Sequence, residues 1–116
     1  MGRPISTEMK APSDGPIHSL LGDDQSLERL DPFIVSLGER IDAIQDAEGR
    51  GHLEEAAKTA LELASEAVEL AIPPLALAAE RVAVICRLDD RPRVHEAIVA
   101  LTDVVRRVRL GHRGAA

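Results

Sequence analysis

Residues 90–111 read DRPRVHEAIVALTDVVRRVRLG, and this stretch decides the fold. Val94, Ala97, Ile98, Leu101, Val104, Val105 and Val108 recur at spacings of three and four, the period of one buried helix face. Asp90 supplies a capping side chain, and Pro92 brings a φ already set for the first helical turn. Gly111 closes this helix and leaves a short basic tail over 112–116.

The same punctuation recurs upstream. Asp31-Pro32 opens a first helix, with Ile34, Leu37, Ile41 and Ile44 on its apolar face and Gly49 and Gly51 at its end. Leu27 and Leu30 add an extra turn ahead of the cap. A second helix runs from about His52 to Ala71. Leu53, Ala57, Ala60, Ala64, Ala67 and Ala71 form its stripe, and side chains this small let a neighbouring helix come close. Its opposite face carries Glu54, Glu55, Lys58, Glu62, Glu66 and Glu69, a solvated acidic surface. Neither Pro73 nor Pro74 has an amide hydrogen to donate, so the pair ends that helix and opens a third through Leu75, Ala78, Ala79, Val82, Ile85 and Cys86 to Leu88.

Four amphipathic segments joined by short turns predict an all-α, antiparallel four-helix bundle over residues 26–111. Residues 1–25 hold Pro4, Pro12, Pro16, Gly2, Gly15 and Gly22 with no surviving period. They are expected to form a flexible tail in which Ile17, Leu20 and Leu21 supply a short docking motif. Composition agrees: Ala and Leu are abundant, and Phe33 is the one aromatic residue in 116.

The formal net charge of −6 argues against a general nucleic-acid binder, which needs clustered cations. Charge is nonetheless uneven. From Arg91 onward six arginines face Glu96 and Asp103, a net of +4, so the remainder carries −10. One cysteine, Cys86, leaves no internal disulfide framework and suits a reducing compartment. No stretch has the run of apolar residues that a membrane span or a signal peptide requires, so a cytoplasmic protein is expected.

Motifs for chemistry are sparse. His18, His52, His95 and His112 are scattered, with no pair at ligand spacing on one helix face, and no metal or cofactor is expected. Cys86 sits beside Ile85 and Leu88 as a small core thiol, with Arg87 as its close cation. The turn Glu48-Gly49-Arg50-Gly51-His52 lacks a preceding strand and the Lys-Ser/Thr ending of a phosphate loop.

The segment from Phe33 to Val108 resembles the histidine phosphotransfer family, four-helix modules of bacterial two-component relays. The likeness runs through Phe33, Leu37, Arg40-Ile41 and Ile44, then the turn Gly49-Arg50-Gly51-His52. The run from Leu53 to Ala60 follows, and Ile72-Pro73-Pro74-Leu75-Ala76 starts the next helix. In that register the family's phospho-acceptor histidine falls on Leu61, its lysine on Ala64 and its glycine on Ser65. Leucine has no nucleophilic nitrogen, so the resemblance implies a degenerate member that keeps the scaffold without the chemistry. No catalytic residue carries over.

Active relatives dock receiver domains around that histidine. The resemblance therefore implies a non-catalytic adaptor that binds a receiver-domain protein or another regulator through Ala57, Leu61, Ala64, Ser65 and Val68. Helical geometry places Leu61 at the edge of its stripe, either turned to solvent as part of an interface or packed in the core. Two other readings stand beside the adaptor: a structural subunit that completes its core as a homo- or hetero-oligomer, and a helical regulator of a small GTPase.

Overall fold

A computed structural model of the chain describes residues 15–21 and 24–115, with side chains described for 15–21 and 28–112. Four helices account for most of it: α1 (Asp24–Gly49), α2 (Leu53–Glu69), α3 (Pro73–Cys86) and α4 (Arg91–Ala115). Among the described residues there is no strand, and the fold is an all-α helical bundle. Successive helices pack on one another, and α1 also meets α4.

The periodic residues face inward. Leu37, Ile44, Leu63, Leu75, Val82, Val94, Ile98 and Leu101 are among the fully buried side chains, and every helix contributes. Ala56, Ala60 and Ala67 of α2 and Ala79 and Ala83 of α3 have no accessible surface. Because these residues stop at Cβ, α2 and α3 make the most extensive helix–helix contact in the molecule. Between α1 and α2, Arg40 lies over the Phe33 ring, 5.8 Å from its centroid, and pairs with Glu66 at 2.9 Å.

The turns follow from backbone hydrogen bonding. After α1, Gly51 adopts φ +77°, His52 N–H bonds the Ala47 carbonyl at 2.8 Å and Gly51 N–H bonds that of Glu48 at 3.0 Å. This is the Schellman closure, and glycine suits its left-handed position. The α2–α3 turn repeats it with Ala71 at φ +56°: Ile72 N–H bonds the Ala67 carbonyl at 2.9 Å, and Ala71 N–H that of Val68 at 3.1 Å. A side chain in that conformation costs roughly 1–2 kcal/mol. Burial of Ile72, 1% exposed, offsets it. At the start of α4, Asp90 caps as its sequence position predicts, its Oδ1 accepting from Arg93 N–H at 3.3 Å.

Three sequence expectations need correction. The first helix does not begin at Asp31-Pro32: α1 starts at Asp24 and runs through Pro32. Leu30, upstream of the proline, is buried in the core, and that packing works against the local loss of one hydrogen bond. Asp31 is therefore not a cap; its Oδ1 lies 3.0 Å from His112 Nε2 on α4.

Gly111 does not close the last helix, which continues to Ala115, so 112–115 are helical and not a tail. Nor is all of 1–25 a free tail. Residues 15–21 lie against the bundle, while 1–14, 22 and 23 fall outside the described residues. Ile17 is buried and its N–H bonds the Arg107 carbonyl at 3.0 Å, while Arg107 Nε donates to the Gly15 carbonyl at 2.8 Å. Leu20 N–H and Ser19 Oγ bond the carbonyls of Ala71 and Leu70 at 2.8 and 2.6 Å.

Gly111 has its reason here. A Cβ at that position would overlap the Ile17 carbonyl oxygen, so the glycine lets the segment lie flat on α4. Of the expected docking motif, Ile17 is buried and Leu21 packs against the core, whereas Leu20 faces solvent.

Candidate functional site

The residues singled out on α2 divide in two. Ala57 and Ala64 are core residues, 4% and 8% exposed. Leu61, Ser65 and Val68 are exposed, with Leu61 at 39% and Val68 at 67%. The cause is angular: positions 61, 65 and 68 follow one another at spacings of four and three, a stripe set beside the buried one. Leu61 therefore belongs to the surface.

A cleft of about 800 Å³ opens beside Leu61, between the first half of α2 and the turn from α3 to α4. Leu53, Ala57, Leu61 and Cys86 contribute its apolar lining. Glu54, Lys58 and Glu62 come from α2, and Arg87, Asp89 and Arg91 from the turn. Three acids against three bases leave the cleft without a dominant charge, so it offers no strong field for a small anion or cation. No histidine lines it.

Cys86 is 5% exposed, and its thiol is raised above the ordinary value of 9.0 by burial first and by the nearby Glu48 carboxylate second. Both effects oppose the thiolate, which is the nucleophilic form. The side chain is a core thiol, as its neighbours in sequence suggest.

The described side chains do not bring the histidines together. His52 Nδ1 lies 3.6 Å from Glu55, His95 Nδ1 lies 2.9 Å from Glu48, and His112 pairs with Asp31. His18 is exposed on the docked N-terminal segment. Among the described residues no three His, Cys, Asp or Glu side chains converge as a metal site would need. No described helix is long and apolar enough to cross a membrane.

Compared with protein-family models, with curated proteins and with solved structures, the chain finds no match in any of the three. What it presents must therefore be read from its own surface.

Sequence reasoning missed one part of that surface. Leu77 and Val84 of α3, with Leu88 just beyond it, are 66%, 51% and 57% exposed. Most of the apolar stripe of α4 is buried, and the larger exposed apolar surplus is on α3. The signal was present: between Pro73 and Cys86 only Glu80 and Arg81 are charged, so α3 is apolar on nearly every side.

Proposed function

We propose that this chain is a non-catalytic helical adaptor that binds a protein partner through the exposed α2 stripe of Leu61, Ser65 and Val68. Its partner is a receiver-domain protein in the cytoplasm of a bacterium, and the setting is two-component signalling. Solvent-facing Leu61 carries this reading. It occupies the place where the phosphotransfer resemblance puts an acceptor histidine, and it offers a partner apolar area in place of a nucleophile. Exposed apolar groups gathered on one face of a small domain favour association. Ala57 and Ala64 serve from beneath, holding α2 against the core.

The test has two arms. In calorimetric titrations against a panel of purified bacterial receiver domains, at least one should bind. Leu61→Glu should then weaken that binding about tenfold or more, because a charge would be buried without a partner. Incubation with a labelled histidine kinase and receiver should leave no phosphate on this chain. A phosphohistidine here would overturn the non-catalytic reading, and failure of every receiver to bind would overturn the choice of partner.

A further inference from the structure

Leu77 and Val84 are seven residues apart, two helical turns, so they stand on one line along the outside of α3. At about 100° per residue, Glu80 and Arg81 flank that line on opposite sides and at almost equal angles. Both are exposed. Adjacent residues on a helix do not face each other. Among the described residues neither one enters an ion pair with any other.

We propose that this face is the seam of a homodimer, with α3 of one copy lying parallel to α3 of the second about a two-fold axis along the helices. That symmetry sets each Leu77 and each Val84 against its own mate. It also brings the Glu80 side of one helix to the Arg81 side of the other, twice over. An antiparallel pair would instead set Glu80 against Glu80 and Arg81 against Arg81, so the charge pattern selects the parallel arrangement.

A second copy is the occupant this pattern fits, because an isologous interface requires one patch to complement itself. Leu88 extends the apolar line past the end of α3. The dimer does not depend on the adaptor reading: it uses the face of α3, and mass alone reports it.

Sedimentation velocity of the full chain from about 1 to about 500 µM spans the affinities that an interface of this small size gives. The unaltered protein should form dimers within that range. Glu80→Arg and Arg81→Glu should each weaken dimerisation about tenfold or more, since each then opposes like charges twice. The double exchange Glu80→Arg with Arg81→Glu should restore the dimer. Circular dichroism should be unchanged in all three, because both positions are on the surface. A chain that stays monomeric throughout overturns the proposal. So does a dimer that ignores the single exchanges, or a double exchange no tighter than the singles.

Discussion

The two seams of this bundle are built by opposite means. The helices α2 and α3 make the most extensive contact in the molecule, and both carry alanines with no accessible surface: Ala60, Ala67, Ala79 and Ala83. Between α1 and α4 the larger Ile41, Ile98 and Val105 form the floor. Polar side chains span the gap above them: Gln45 to Thr102 at 3.2 Å, Glu48 to His95 at 2.9 Å and Asp31 to His112 at 3.0 Å. Exposed bridges of this kind contribute about 0–1 kcal/mol each. Close packing leaves no slack, whereas a bridged gap does. The α2–α3 seam should therefore reject added volume that the α1–α4 seam accepts.

The largest effect is expected from Ala79→Leu. Ala79 has no accessible surface on a face already in contact, so three more carbons must push α3 off its neighbours. Overpacking of this kind costs about 3 kcal/mol at its upper range. Urea unfolding followed by helical ellipticity should show the midpoint falling accordingly. A loss below about 0.5 kcal/mol would mean that the seam is looser than its burial implies.

Gly111→Ala tests an edge where the chain's N-terminal segment lies over α4. The added methyl group would overlap the Ile17 carbonyl, and moving residues 15–21 away gives up the burial of Ile17 and its bond to Arg107. Alanine recovers about 1 kcal/mol of helix propensity, so the net loss should be about 2 kcal/mol. Hydrogen exchange gives the signature. The Ile17 and Leu20 amides should lose protection while those in the middle of α2 and α3 keep it. Uniform loss would mean that the segment is part of the core and not a strap upon it.

How much of this could be read from residues alone depended on how far each residue acts. Asp90 caps within its own turn, so its role was legible, as was that of Gly51. Pro32 and Gly111 were misread because both look like local punctuation. What decides them lies far along the chain: the core that buries Leu30, and the carbonyl of Ile17. On α2 the period correctly separated the buried stripe from the acidic face. It left Leu61 on the border, where a few tens of degrees distinguish core from surface. The outward Leu77 and Val84 went unnoticed for a different reason: following one apolar stripe draws attention away from apolar residues outside it.

The smallest effect should have the opposite sign. Gly38 sits inside α1 on the side facing α4, and a Cβ there would meet only the Arg109 guanidinium, at 4.0 Å. Glycine inside a helix is less favourable than alanine by roughly 0.5–1 kcal/mol, because its unfolded backbone has more freedom to lose. With no contact tight enough to oppose it, Gly38→Ala should raise stability by about 1 kcal/mol in the same urea measurement. The methyl group adds volume to a gap bridged by long side chains, and Arg109 can shift around it. An addition at Ala79 or Ala83 instead meets a position with no accessible surface. A destabilised Gly38→Ala variant would show that α1 and α4 approach more closely in solution than the bridges suggest, and the contrast between the two seams would fail at that point.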